Sequence, residues 1–283
     1  MSRIVTGQTL VAGVAGAPVS HSLSPILHNA WIAATDLDAV YVAFPTPEEG
    51  FADFVRSLRG GVVRGLNVTA PFKESALGLA DKVSSRARRA GAANLLIFEP
   101  QGMILADNTD GLGLLDAFAV QAPQFSTAAG PVVVLGAGGA GRGAVAALLD
   151  AGAPEVRLVN RSRDRAETVA QAFDSRVIVY ALRDWDLALE GAAAAINATP
   201  VGFGDTPMNF DAAPDDMVAM DMVYWPLQTP FLAAAAARGL ARVDGLAMLI
   251  GQARPSFTAL FGQEPSDDAD VRAIALSVLE HTP

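Results

Sequence analysis

One short stretch constrains the fold of this chain more than any other. Residues 130–143 read GPVVVLGAGGAGRG, and Gly136-Ala137-Gly138-Gly139-Ala140-Gly141 satisfies the spacing GxGxxG. The apolar run Val132 to Leu135 leads in and the helical AVAALLDAG leads out. The first glycine permits a tight turn, the second lets a pyrophosphate approach the backbone, and the third lets helix and strand pack closely. The helix then points its N-terminus at the anion. A second strand, EVRLVNRS at 155–162, follows in the order a dinucleotide-binding unit requires. The competing reading is a glycine turn that only packs.

Cofactor preference is read at the end of that second strand, where an NAD site carries an acid for the ribose 2′-hydroxyl. Here the chain reads Asn160-Arg161-Ser162-Arg163-Asp164-Arg165, with three arginines within five residues and no acid at the strand end. Guanidinium forks suit a 2′-phosphate, so the sequence predicts NADP. The alternative for one or two of these arginines is a solvated helix face, Arg163 first among them. Arg86-Ala87-Arg88-Arg89 is read as such a face.

Composition narrows the rest. A length of 283 residues sets about two domains as a prior. Hydrophobic residues at 51% and charged residues at 18% describe a chain that buries a core. The net charge of −10 argues against nucleic acid as a partner. The absence of cysteine removes disulfides, thiolate metal sites and cysteine nucleophiles, and points to the cytoplasm. Three histidines without an HExxH pattern predict no metal site. Mean hydropathy is +0.32, yet no run reaches the ~18 apolar residues of a spanning helix. Residues 10–19 (LVAGVAGAPV) follow only Arg3 and are not read as a signal peptide.

Strand-like and helix-like segments alternate, which predicts an α/β fold. In the first block, strands are expected at 10–15, 40–45 and 64–69, with a helix over Ser24–Ala34. Another helix opens at Pro47-Glu48-Glu49 and more follow Pro71. A hairpin of 93–98 and 103–107 turns at Pro100-Gln101-Gly102. In the second block, strands are expected at 155–162, 176–180, 192–197 and 217–224, with a helix at 163–173. The chain from Leu246 on reads as helical. Two such blocks predict two α/β domains with a cleft between them, the second of Rossmann type, with ligands at the C-terminal strand ends.

Four polar motifs sit where strands give way to loops: Ser20 to Pro25, Asn67 to Lys73, Gly91 to Asn94, and Asp107 to Gly111. Together they offer hydroxyls, amides, one lysine and one aspartate to a small polyhydroxylated acid. Singly, each has a plain alternative. Ser24-Pro25 suits a helix N-cap, Asn94 a turn, and Asp107-Asn108 a cap for the helix after Gly111.

In this order the motifs resemble the shikimate dehydrogenase family across essentially the whole chain. The resemblance rests on Gly16-Ala17-Pro18, His21 to Pro25 and His28-Asn29, then Asn67-Val68-Thr69 and Pro71-Phe72-Lys73. Asn94, Asn108 to Gly111, the glycine loop, Asn160-Arg161 and Asn197-Ala198-Thr199 continue it. Asp221-Met222, Tyr224, Asp244-Gly245-Leu246, Met248 and Gln252 complete it. Departures are Leu95 and Ala247, where the family commonly has Thr and Gly, and Pro200-Val201 in place of smaller polar residues.

The resemblance implies NADP-dependent interconversion of 3-dehydroshikimate and shikimate. Ser22 and Ser24 would hold the substrate carboxylate. Thr69, Asn94, Asp110 and Gln252 would bind ring hydroxyls, and Tyr224 would line the site. Lys73 and Asp110 would be the catalytic pair, with Lys73 the general acid/base. Gly136, Ala137, Gly138, Gly139, Ala140, Asn160, Arg161, Arg165, Met222 and Gly245 would contact NADP. It also implies a discontinuous substrate domain of residues 1–112 and 246–283 and an NADP domain of 113–245, as a monomer or homodimer. Alternatives are a quinate/shikimate dehydrogenase with relaxed substrate or NAD use, and a non-catalytic NADP-binding sensor. Glutamyl reductases linked to tRNA share such a glycine loop but need a cysteine, which this chain lacks.

Overall fold

A computed structural model describes residues 4–60, 63–200 and 209–281. In chain order the elements are β1 (Leu10–Gly16), α1 (Ser24–Ala33), β2 (Ala39–Pro45), α2 (Phe51–Ser57), β3 (Val63–Val68), α3 (Lys73–Leu79), β4 (Lys82–Val83), α4 (Ser85–Ala90), β5 (Leu95–Phe98), β6 (Ile104–Asp107), α5 (Asp110–Gln121), β7 (Val132–Leu135), α6 (Gly139–Asp150), β8 (Val156–Asn160), α7 (Arg163–Ala170), β9 (Val177–Ala181), α8 (Trp185–Leu189), β10 (Ala194–Asn197), β11 (Val218–Asp221), α9 (Pro230–Ala237), β12 (Ala241–Val243), α10 (Gly245–Phe261) and α11 (Val271–Glu280). They form two compact units. One runs to Thr109 and resumes at Gln252; the other is Asp110–Gly251.

The continuous unit follows from its apolar strands. Every residue of β7, β10 and β11 is buried, which only a sheet covered on both faces tolerates. The sheet is parallel, in the order β12-β11-β10-β7-β8-β9. Alternating side chains feed two cores. Val132 and Val134 pack with Leu114, Val145 and Leu148 on one face. Val133 and Leu135 pack with Trp185, Phe231 and Leu232 on the other. Strand order reverses between β7 and β10, so the glycine loop leaves β7 at the switch point where such sheets bind ligands.

The discontinuous unit holds a mixed sheet, β2-β1-β3-β5-β6-β4. β1 lies parallel to β2 and β3, whereas β5 runs antiparallel to both β3 and β6. Asn29 protects the outer edge at β2: its Oδ1 accepts the Tyr41 N–H (3.0 Å) and its Nδ2 donates to the Tyr41 carbonyl (2.7 Å). A side-chain amide thereby takes the place of a neighbouring strand.

Several expectations change. The strand expected over 217–224 ends at Asp221, because the Asp221 carboxylate accepts the Val223 N–H and turns the chain out of the sheet. The strand over 155–162 ends at Asn160, since Ser162 caps α7 by accepting the Arg165 N–H. The helix expected to reach 173 stops at Ala170. α8 and β12 lie outside the expected elements. The C-terminal stretch is helical as expected and holds two helices. Pro255 lies inside α10 and has no N–H to give the Gly251 carbonyl.

Candidate functional site

Topology explains why the four polar motifs converge. β1 and β3 are parallel neighbours, so the residues after Gly16 and Val68 leave on the same side. β5 runs back against β3, which brings its start beside the end of β3: the Val68 N–H donates to the Asn94 carbonyl at 2.8 Å. β6 is antiparallel to β5, with Leu95 opposite Asp107, so Asn108 and Thr109 emerge next to Asn94.

At this edge Ser24 is buried and Ser22 half-buried. Ser24 does not cap α1. The Ser22 hydroxyl instead accepts the Ser24 N–H at 3.3 Å, and Leu23 holds the cap position with no side-chain bond. Thr69 is tied to β1 through its N–H to the Ala15 carbonyl (3.0 Å). Lys73 is half-buried and opens α3, and its carbonyl accepts the Ala93 N–H at 2.8 Å. This bond locks the start of α3 to the segment that carries Asn94.

Asn94 is a buried hub rather than a turn residue, 3% exposed. Its Oδ1 accepts the Thr109 N–H (2.8 Å), and its Nδ2 donates to Thr109 Oγ1 (2.9 Å) and Gln252 Oε1 (3.1 Å). A second layer supports it. Tyr41 Oη donates to Asn67 Oδ1 (2.8 Å), and Asn67 Nδ2 donates to Ser256 Oγ (3.0 Å) and to the Asn94 carbonyl (3.2 Å). Ser256 Oγ in turn meets Thr109 Oγ1 at 3.1 Å and the Gln252 carbonyl at 3.0 Å. Thr109 and Asn67 lay inside the motifs without an assigned role. Tyr41 and Ser256 were missed, and their sequence context offers only a strand tyrosine and a helix serine.

Asp107-Asn108 does not cap a helix after Gly111, since α5 already opens at Asp110. Asp107 instead accepts from Ser84 Oγ and Arg86, so Arg86 is not merely solvated. Asp110 and Tyr224 are half-buried and belong to the continuous unit, Asp110 as the first residue of α5. Leu95 is fully buried and brings only apolar surface.

In the continuous unit the glycine loop has a shape that side chains would spoil. Gly136 sits at φ +111°, and a Cβ on Gly141 would lie 1.8 Å from the Gly136 carbonyl oxygen. A Cβ on Gly139 would meet nothing within 4 Å, which leaves the helix N-terminus open to a phosphate. Ala137 is pinned from both sides: its N–H donates to Asn160 Oδ1 (3.2 Å) and its carbonyl accepts Arg165 Nε (3.1 Å). Arg161 is exposed and makes no hydrogen bond or ion pair among the described residues. Arg163 pairs with Glu167, as expected of a bystander, and Arg157 is committed to Glu155 and to the Ala188 and Glu190 carbonyls. The loop and the two arginines beside it fit a phosphorylated dinucleotide.

The loop after β11 is built around Asp221. Its carboxylate accepts from Asn197 Nδ2 (3.1 Å), Thr229 Oγ1 (2.6 Å) and the Val223 N–H (2.9 Å). Burial raises the Asp221 pKa above the usual carboxylate value, partly offset by these bonds. Gly245 packs on this loop, where a Cβ would lie 2.5 Å from the Val223 carbonyl oxygen. It therefore touches the backbone that carries Met222. Pro200 is exposed, and Val201 lies outside the described residues. Among the described residues there is no cluster of metal-ligating side chains and no helix long and apolar enough to cross a membrane.

Residues 14–96 match the shikimate dehydrogenase substrate-binding domain and residues 120–201 the shikimate/quinate 5-dehydrogenase domain. The chain is 52% identical over 282 residues to a shikimate dehydrogenase (NADP(+)) of Caulobacter vibrioides, covering 99% of both chains. It is similar to a shikimate 5-dehydrogenase of Thermus thermophilus solved with NADP(H) and shikimate, at TM-score 0.84 and 35% identity over 95% of this chain and 99% of that one. It is also similar to a quinate dehydrogenase of Corynebacterium glutamicum solved with NAD, at TM-score 0.83 and 27% identity over 96% of this chain and 99% of that one. With motif order, strand topology and both domain matches in agreement, this chain belongs to the shikimate dehydrogenase family.

Proposed function

We propose that the protein interconverts shikimate and 3-dehydroshikimate with NADP, in the cytoplasm, as a monomer or homodimer. The observation that carries this reading is the convergence of Ser22, Ser24, Thr69, Lys73, Asn94 and Gln252 on one edge of the mixed sheet. The discontinuous unit serves as the substrate domain and the continuous one as the NADP domain. NADP, when bound, accepts or supplies a hydride at its nicotinamide.

The remaining chemistry belongs to the chain. The hydroxyls of Ser22 and Ser24 donate to the substrate carboxylate without introducing a competing charge. Thr69, Asn94, Gln252 and Asp110 hold the ring hydroxyls, and Tyr224 lines the ring. As the 3-oxo group is reduced, negative charge grows on its oxygen. The Lys73 ammonium stabilises that charge and gives up a proton, then reclaims it in the reverse direction, with Asp110 as its counter-charge. Gly136 to Ala140, Asn160, Met222 and Gly245 shape the cofactor cradle. Arg161 and Arg165 favour the 2′-phosphate of NADP, and the absence of an acid at the end of β8 removes the usual partner of an NAD ribose.

Steady-state rates with NADP and NAD, each on shikimate and on quinate, test the reading. Turnover is expected with NADP and shikimate, and comparable rates with NAD would overturn the cofactor assignment. Lys73→Ala should lower kcat by about 10²–10⁴-fold with little change in shikimate binding. A variant that keeps its turnover removes Lys73 from the role of acid and base.

A further inference from the structure

We infer that Ser256 is a positioning residue, which sets the direction of the Thr109 hydroxyl and so supports the buried set that carries Asn94 and Gln252. The inference rests on the proposed substrate site and adds to it a residue that touches no ligand. Ser256 is 0% exposed, Asn94 3% and Gln252 8%, so protein partners rather than bulk water set their protons.

The directions follow from backbone groups that cannot change role. Asn67 Nδ2 faces the Asn94 carbonyl, which only accepts, so Asn67 Oδ1 faces Tyr41, which must donate. The other Asn67 N–H then donates to Ser256 Oγ. Ser256 has one proton, and the Gln252 carbonyl takes it, as a helical serine commonly bonds four residues back. Thr109 must therefore donate to Ser256 Oγ, which leaves Thr109 Oγ1 to accept from Asn94 Nδ2. The Thr109 N–H reaches Asn94 Oδ1 and fixes the same amide orientation independently. The second Asn94 N–H goes to Gln252 Oε1, so Gln252 is held with its oxygen toward Asn94 and its nitrogen on the far side of the amide.

Without the Ser256 hydroxyl the Thr109 proton loses its acceptor. Asn67 Nδ2 keeps one acceptor instead of two, and the Thr109 proton can turn to Asn94 Oδ1 or Gln252 Oε1, both 3.3 Å away. Either turn puts a second donor on an amide oxygen that already accepts, Asn94 Oδ1 from the Thr109 N–H or Gln252 Oε1 from Asn94 Nδ2, and competes with the bond that places that amide toward the ring hydroxyls. The cost therefore falls on shikimate recognition.

The test compares wild type, Ser256→Ala, Tyr41→Phe, Gln252→Ala and the Ser256→Ala/Gln252→Ala double variant, in KM for shikimate, KM for NADP, kcat and urea midpoint. Ser256→Ala should raise the shikimate KM by about 10-fold, with the NADP KM unchanged and kcat within about 3-fold. Tyr41→Phe should move the shikimate KM in the same direction by less. In the Gln252→Ala background the Ser256→Ala effect on KM should shrink to under half, because the two residues share one network. Should Ser256→Ala fold too weakly to assay, the smaller shift in Tyr41→Phe decides. A folded Ser256→Ala with wild-type shikimate KM, or full additivity with Gln252→Ala, overturns the inference. If wild type itself does not turn over shikimate, it is the proposed function that fails.

Discussion

His28 shows what a single buried residue contributes here. Its ring stacks on Tyr41 at 4.1 Å, with Trp31 edge-on and Phe257 at 5.8 Å, and neither ring nitrogen has a partner among the described residues. Burial in this aromatic cage lowers its pKa from 6.5 to about 3. Because the folded value lies below the unfolded one, the stability it contributes is present above pH 6.5 and declines as pH falls toward 3. At ~1.4 kcal/mol per unit, about 3 kcal/mol is lost between pH 7 and pH 4. His28→Phe keeps the stacking and removes the titration, so its urea stability relative to wild type should rise by that amount over the same range. A pH-independent difference would mean that the imidazole finds a partner when it is charged. Sequence made part of this layer legible. Asn67 and Thr109 fell inside the polar motifs and His28 among the residues that carry the family resemblance, but the pairing of Asn67 with Ser256 spans 189 residues and leaves no local pattern.

The glycine loop was legible at the level of the element because backbone sterics dictate two of its glycines: Gly136 takes a positive φ, and Gly141 packs on the Gly136 carbonyl. The short elements were not. β12 has three residues and α8 five, too few for a period to show, and the turn at Asp221 depends on a carboxylate bonding its own backbone. The loop separates two roles that substitution can distinguish. Gly141→Ala places a methyl against the Gly136 carbonyl oxygen, so it should lower thermal stability and abolish NADP binding together. Gly139→Ala meets only open space, so it should fold with wild-type stability and still weaken NADP binding, by about 10-fold or more, because the methyl occupies the approach to the helix N-terminus. Calorimetric melting and NADP titration of both variants read the difference. Unchanged NADP affinity in Gly139→Ala would mean that the phosphates lie elsewhere.

At the scale of the molecule, the cluster around Leu66, Phe72 and Leu96 lies in the discontinuous unit, and those around Val134 and Val133 lie in the continuous one. The proposed NADP contacts all fall in Asp110–Gly251, while Ser22, Ser24, Thr69, Asn94 and Gln252 fall in the other unit. A ligand stabilises the structure that holds its contacts, by about 2.7 kcal/mol at 100 times Kd, which slows exchange through opening of that structure about 100-fold. Amide exchange with NADP alone should therefore show new protection in β7, α6 and β8, with β3 and β5 unchanged. Shikimate alone should protect β3, β5 and the part of α10 after Gln252. α10 is the informative element, since its first seven residues belong to one unit and the remainder to the other. The carbonyl that Pro255 leaves without a helical donor lies at Gly251, the last residue before that boundary, so the helix lacks one of its bonds where protection would have to pass. Each ligand should protect its own part of α10. Protection of all of α10 by NADP alone would show that the helix opens as one body, and the two-core account of stability would have to be replaced by a single cooperative unit.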